Sequence, residues 1–391
     1  MTRSWRISDK EFAYVSQVLE SGFPSSANVS FVAKLEAAFA EKFACQYAIS
    51  HANGTATLHG ALAAVGVGPG DEVIVPPLTM ASTSLAVLHQ QAVPVFADVD
   101  PRTFLIDPES IRSRITPRTR AIITVALYGL SPDMDPIMEL ARKHQLAVIE
   151  DDAQCFLGRY KGRIAGSIGD LASFSFQNSK HMTCGEGGMV TTNNVEYADR
   201  VARFASLGYG LIRAGAGKSQ IDKRAILHPS FKRHVSLGFN YRLAELCAAV
   251  LLAQLERLEE FVGWRRRTAQ AFDQIVRPCS WLKPQYVGPD YEHSYWAYTV
   301  KLDTGKDGVT WEQFFDKFAE LGGDGFYGAW GLTYLEPLFQ EGSLGRKYAP
   351  GLCPVAEAIQ PRLVQLKTNY GDQQTIDRQA EVLAATIRYF D

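Results

Sequence analysis

From about residue 46 to residue 193, short runs of β-branched and aliphatic residues alternate with longer helical stretches. EVIVP (72–76), VPVFADV (93–99), AIITVAL (121–127) and LAVIED (146–151) are separated by stretches such as 54–65, 80–91 and 133–144. Parallel neighbours need crossover connections of helical length, so this alternation predicts a mainly parallel sheet. The strands are apolar throughout rather than alternating, as expected of a sheet covered on both faces. Such an open sheet leaves a crevice at the carboxyl ends of its strands, where functional side chains are expected. LASFSF (171–176) and GGMVTTN (187–193) are two further strands with no helix between them, joined by the compact run QNSKHMTCGE.

Outside that region the pattern is helical at both ends. Ser8 and Glu11 have capping-box spacing ahead of a stripe of Phe12, Val15 and Val18, with a stop at Gly22. A second helix is predicted from Phe31 to Phe43. One long helix is expected from about Tyr241 to Val276, with Ala248, Leu251, Leu255, Leu258 and Val262 on one stripe. A smaller α+β region follows, closed by a helix at 375–390. The domains expected are an N-terminal helix over 1–24, with a place on the small domain left open, a large α/β domain over 25–240, and the long helix with the small domain over 241–391.

Composition narrows the function classes. The 391 residues carry 40 Lys+Arg against 42 Asp+Glu, a formal charge of −2, so nothing pulls the protein generally toward nucleic acid or anionic lipid. No apolar run approaches the length of a membrane span, and MTRSWRISDKEF lacks the apolar core of a secretory signal. A soluble cytoplasmic protein is expected, with no nucleic-acid or membrane partner. The six cysteines form no C-x-x-C pair, and no other Cys or His stands at ligand spacing from Cys184 and His181, so neither a metal site nor a disulfide framework is expected.

Four local features carry candidate chemistry, each beside a plainer reading. In HANGTATLHGALAAVG (51–66) a strand turns into a helix beginning near Gly54; helix-terminal amides favour a phosphate, although a simple strand-to-helix turn looks the same. VIEDDAQ (148–154) places carboxylates at a strand's carboxyl end, for a metal, acid–base work, a cationic ring, or merely helix capping. SFSFQNSKHMTCGEGG (173–188) isolates Lys180 between two strands. In a crevice, desolvation and a nearby cation would lower its pKa toward a nucleophilic amine; on the surface it would be an ordinary lysine. GFNYRLAEL (238–246) could simply cap the long helix through Asn240. Taken jointly, a phosphate at 54–56, a cationic ring nitrogen facing Asp151 and an aldehyde joined to Lys180 are the requirements of pyridoxal 5′-phosphate. No G-x-G-x-x-G follows the first strand, which disfavours a nicotinamide dehydrogenase.

With these residues in place the chain resembles the DegT/DnrJ/EryC1/StrS sugar aminotransferases, fold-type I enzymes dependent on pyridoxal phosphate. The segments 53–76, 93–108, 148–154, 173–188, 238–246 and CPVAEAI (353–359) fall in family order. The resemblance implies a mainly parallel seven-stranded sheet sandwiched by helices, with a smaller C-terminal α+β domain. It implies that Lys180 is the catalytic residue and binds the cofactor covalently. Asp151 would pair with the ring nitrogen and Gln154 with the phenolic oxygen. Gly54, Thr55, Ala56 and Ser175 would hold the phosphate. Asn240 would reach the phosphate of the other subunit, so a homodimer with shared active sites is implied.

This sequence departs from the family pattern at two positions. PPLTM (76–80) puts Met80 where the family usually stacks an aromatic on the cofactor ring, a face a thioether can also cover. VALYG (125–129) has Ala126 where many members carry His. Related sugar 3-dehydratases have His in place of the lysine, so Lys180 favours amino transfer: a ping-pong reaction from glutamate or glutamine to a ketosugar, most simply a nucleotide-linked one, for aminosugar biosynthesis. The alternatives are a scyllo-inosose-type cyclitol aminotransferase of antibiotic biosynthesis and a non-catalytic regulatory protein that binds the cofactor. For the sugar, two stretches are candidates: the basic run 210–234, with Arg213, Lys218, Lys223, Arg224, Lys232 and Arg233, and the aromatic run 323–339, with Tyr327 and Trp330. A solvated loop and ordinary packing are their plainer readings.

Overall fold

The computed structural model describes residues 4–23, 30–214, 224, 227–303, 308–342 and 348–391. Helices α1 (Asp9–Glu20) and α2 (Phe31–Lys42) precede strand β1 (Tyr47–His51), and α3 (Gly54–Ala64) follows it. Then come β2 (Glu72–Val75), α4 (Ser82–His89), β3 (Val93–Phe96), α5 (Pro108–Arg114), β4 (Thr119–Val125), α6 (Met134–His144) and β5 (Ala147–Asp151). Strands β6 (Leu171–Ser175) and β7 (Gly188–Thr192) and helix α7 (Val195–Phe204) complete the series. The seven strands form one sheet in the order β1-β7-β6-β5-β4-β2-β3. β7 runs antiparallel to both its neighbours, β1 and β6, and the other pairings are parallel.

The helices start where side chains can satisfy free amides. Ser8 and Glu11 form a complete capping box on α1, and Ser30, Asn53, Asp107 and Asn194 cap α2, α3, α5 and α7. Both faces of the sheet are covered, and every residue of β2, β6 and β7 is buried. Ile74, Ile122 and Val148 meet Ile137 and Leu140 of α6 on one side; on the other, Val73, Ile123 and Ile149 pack with Leu58 and Leu62 of α3.

The expected long helix is two helices: α8 (Glu245–Leu255) and α9 (Leu258–Val276), broken at Glu256–Arg257. Neither Gly nor Pro marks the break. It lies where the N-terminal segment crosses, with Gln254 donating to the Arg6 carbonyl at 2.6 Å and Arg257 to the Trp5 and Arg6 carbonyls. The five stripe residues are nonetheless all buried. Asn240 caps neither helix, because α8 begins at Glu245 with Ala244 as its cap residue. On α1 the buried positions are Glu11 and Val18, and Phe12 is exposed. Val18 joins a layer with Leu35 and Phe39 of α2, with Phe174 and Phe176, and with Leu251 of α8, while Trp5 packs edge-on to Phe261 of α9.

The C-terminal part carries an antiparallel sheet of β8 (Leu282–Pro284), β9 (Ala297–Leu302), β10 (Tyr327–Gly328) and β11 (Leu363–Lys367), in the order β8-β9-β11-β10. Helices α10 (Trp311–Glu320) and α11 (Gln373–Phe390) pack on it with the end of α9, through Phe272, Phe314 and Leu383. Among the described residues no helix is long and apolar enough to cross a membrane, and no cluster of His, Cys, Asp or Glu could hold a metal ion.

Candidate active site

Three element ends meet at one crevice: the start of α3 and the carboxyl ends of β5 and β6. Asn53 Oδ1 accepts from the Ala56 amide at 2.9 Å, which fixes the first turn of α3. The Gly54 and Thr55 amides have no partner among the described residues and are left for an anion. Ala56 was expected to offer its amide as well, but its cap bond already engages it. Gly54 is required by packing, since a Cβ there would lie 2.8 Å from the Cβ of Ser175. A Cβ on Gly188 would lie 2.7 Å from the Asn53 carbonyl oxygen, so β7 also presses on this turn.

The three acidic residues at the end of β5 have different tasks. Glu150 accepts from the amides of Gly166, Ile168 and Gly169 and braces a loop. Asp152 is buried with Oδ2 unpartnered, and burial together with the Glu150 and Asp151 charges pushes its carboxyl well up. Only Asp151 faces the crevice. It accepts from Thr83 Oγ1 at 2.8 Å and from the Ala153 amide at 3.2 Å. Burial raises its pKa, while these two bonds and the Lys180 charge pull it back down. Gln154 Oε1 accepts from the Tyr128 amide at 2.7 Å, which leaves Nε2 as the end that can donate into the crevice. Tyr128 holds that amide in place with a left-handed φ of 65°.

Lys180 sits in a tight turn, its amide donating to the Gln177 carbonyl at 2.9 Å. Trp296 Nε1 donates to the Ser179 carbonyl at 3.0 Å, and the Lys180 amine lies 5.2 Å from the Trp296 ring centre. Burial lowers the pKa of the amine to about 8; Asp151 and Glu186 act the other way, and Arg265 adds to the lowering. The neutral form that a nucleophile requires is therefore easier to reach near neutral pH than in an exposed lysine.

These groups line one cavity of about 690 Å³. Of the residues expected from sequence, Gly54, Thr55, Ala56, Met80, Asp151, Gln154, Ser175 and Lys180 all border it. Met80 is half-exposed at its edge. Asn240 does not border it: this residue is exposed and bridges to Ser206, while its neighbour Tyr241 lines the cavity. Trp330 lines it too, its ring centre 5.8 Å from that of Trp296 and inclined to it by 30°, whereas Tyr327 borders a second cavity. From the basic run, Lys218 and Lys223 lie outside the described residues. Arg213 pairs with Asp199 at 3.3 Å, and Arg224, Lys232 and Arg233 are exposed; none of these four borders the cavity. Sequence reading missed Thr83, Tyr241 and Trp296. No local pattern announces Thr83 or Trp296, whereas Tyr241 lies inside the run 238–246, next to Asn240.

The donor set fits pyridoxal phosphate at every functional end. Two free amides with the Thr55 and Ser175 hydroxyls suit the phosphate, a buried carboxylate suits a protonated ring nitrogen, an amide donor suits the phenolic oxygen, and a pKa-lowered amine suits the aldehyde.

Residues 6–385 match the DegT/DnrJ/EryC1/StrS aminotransferase family. The chain is 40% identical to GDP-perosamine synthase of Caulobacter vibrioides, over 77% of this chain and 76% of that enzyme. It is 37% identical to L-glutamine:2-deoxy-scyllo-inosose aminotransferase of Streptomyces lividus, over 78% and 72% of the two chains. The X-ray structure of the aminotransferase from Psychrobacter cryohalolentis matches with a TM-score of 0.88 at 30% identity, covering 100% of this chain and 99% of that one. This chain thus belongs to the DegT/DnrJ/EryC1/StrS aminotransferase family.

Proposed function

We propose that the protein uses pyridoxal phosphate to move an amino group from glutamate or glutamine to a nucleotide-linked ketosugar. The observation that carries this reading is the meeting of Asp151 and Lys180 in one cavity, with the free N-terminus of α3 at the same cavity. The similarity to a GDP-sugar enzyme supports the substrate class.

Bound pyridoxal phosphate supplies an electron sink conjugated to the α-carbon of the amino donor. Asp151, fixed by Thr83, holds a proton at the ring nitrogen through its negative charge, an interaction strong in a buried setting. The Gly54 and Thr55 amides and the hydroxyls of Thr55 and Ser175 anchor the phosphate. Gln154 Nε2 donates to the phenolic oxygen. Lys180 would hold the aldehyde through its amine, and that amine, once free, would take up and return the proton removed from the donor α-carbon. Amino transfer proceeds in two half-reactions, the oxo acid leaving before the ketosugar enters, so initial-rate plots are parallel. Exposed Asn240 serves the cavity of a second copy, making the working unit a homodimer.

The test is the absorbance spectrum of the full-length protein. A band near ~410–430 nm that glutamate or glutamine bleaches, that borohydride traps, and that is absent in Lys180→Ala is expected. A protein that stays colourless with added pyridoxal phosphate sinks the reading. A second reading, a cyclitol ketone as acceptor, is favoured by the scyllo-inosose relative. Turnover with scyllo-inosose-type ketones but not with ketosugar nucleotides would select it.

A further inference from the structure

Two guanidinium groups, one buried and one half-buried, converge on the backbone that carries Lys180. Arg265 of α9 is 3% exposed and donates to the carbonyls of Trp296 at 2.8 Å and Ser179 at 3.4 Å and to Thr368 Oγ1 at 3.0 Å. Half-buried Arg6, from the segment ahead of α1, donates to the carbonyls of Asn178 at 2.9 Å, Lys180 at 2.6 Å and His181 at 3.2 Å. Four consecutive carbonyls, 178 to 181, are thus held by two side chains from distant parts of the sequence. Neither arginine has an ion-pair partner among the described residues; their guanidinium bonds go to carbonyls and to Thr368. Both border a second cavity of about 530 Å³, which shares Ser179 and Trp296 with the first.

Desolvated cations without counter-charges are costly, and their proximity adds to the cost. Burial, with Arg6 as a second cause, lowers the Arg265 pKa to about 9. A structural tie to four carbonyls could have come from neutral donors, so the choice of charge needs a reason. Lys180 supplies one. The charged groups acting on its amine are Asp151 and Glu186, which favour the ammonium form, and Arg265, which opposes it.

We propose that Arg6 and Arg265 are positioning residues for amino transfer: together they fix the backbone of residues 178–181 from which Lys180 reaches, and Arg265 sets a positive charge against the turn that carries the reacting amine. The proposal rests on the reading of Lys180 as that amine. Arg6 acts through geometry, whereas Arg265 acts through geometry and charge, so the two are separable.

The test is trace acetylation of Lys180 across pH in the full-length protein freed of cofactor, quantified by peptide mass spectrometry. In the unsubstituted protein Lys180 should titrate near pH 8. Arg265→Gln should move that midpoint upward, cutting Lys180 modification at pH 7.5 by at least about threefold. Arg265→Lys should restore the midpoint while kcat stays reduced about tenfold, because a single ammonium cannot span the carbonyls. Arg6→Gln should leave the midpoint in place and lower kcat by a similar factor, with KM for the donor nearly unchanged. An unmoved midpoint in Arg265→Gln, or full kcat in both Arg6→Gln and Arg265→Lys, overturns the proposal. If Arg265→Gln does not fold, the other two variants decide it. Pyridoxal phosphate should protect Lys180 from acetylation; loss of that protection in the unsubstituted protein would overturn the functional reading instead, whatever the midpoints do.

Discussion

In the cavity wall Gly54, Asp151 and Ser175 stand at the termini of a helix and two strands, each fixed by packing or by hydrogen bonds. Met80 and Trp330 of the same wall come from irregular connections. The first group is tied to a buried sheet: a methyl at Gly54 has no room, and Asp151 is held from two directions. In the second group, Met80 is 52% exposed. The contrast suits a reaction in which one reagent stays and another changes. Groups that bind a resident cofactor gain from rigid support, whereas loops can vary with the acceptor.

If this division holds, damage to the cofactor-binding group should abolish chemistry and damage to the loop residues should alter selectivity. The largest loss is expected from Lys180→Ala, at least about 10⁴-fold in either half-reaction, measured in single turnovers. Next, Asp151→Asn should keep the Thr83 bond yet slow donor turnover by about 10²–10³-fold. The cofactor-free variant should melt no lower than the parent, since a buried charge is removed. Equal rates for Asp151→Asn and the parent would erase the distinction between the two groups.

Gly54→Ala should weaken pyridoxal phosphate binding about tenfold and cost about 1–3 kcal/mol of stability, because the α3 terminus must move off Ser175. Fluorescence titration and thermal unfolding would check both. Trp330→Ala should leave the donor half-reaction within about twofold while raising KM for the acceptor several-fold, a split that steady-state kinetics resolves. The smallest effect is expected from Met80→Phe, within about threefold in kcat, read together with the position of the visible band.

The same contrast explains what could be read from the chain alone. Strand alternation, the turn at Gly54, the carboxylate ending a strand and the isolated lysine are local patterns. Their order along the chain carried the family resemblance. Thr83 meets Asp151 across 68 residues, and Arg6 meets Lys180 across 174; such pairings exist only after the layers pack. The break between α8 and α9 has no Gly or Pro to signal it, because its place is set by the crossing N-terminal segment. Likewise, periodicity put Phe12 on the buried stripe, but the face of α1 that packs on α8 is set by Val18 and by Glu11, whose carboxylate accepts from Gln254 at 2.6 Å. The Ala56 amide shows the converse limit: the motif located the phosphate turn, but which of its amides are free depends on how Asn53 caps the helix.

The antiparallel placement of β7 has a consequence for assembly. Strand β1 is an edge of the large sheet and has β7 as its single neighbour there, although β7 lies far downstream. A chain made from its N-terminus therefore releases β1 with no strand to pair with, and the phosphate turn that follows lacks its supports until Ser175 and Gly188 arrive. Long-range pairings of this kind form late and slowly. On refolding, helix content should return before the ability to bind an anion at Gly54, and the earliest strand synthesised should be among the last to find its seat.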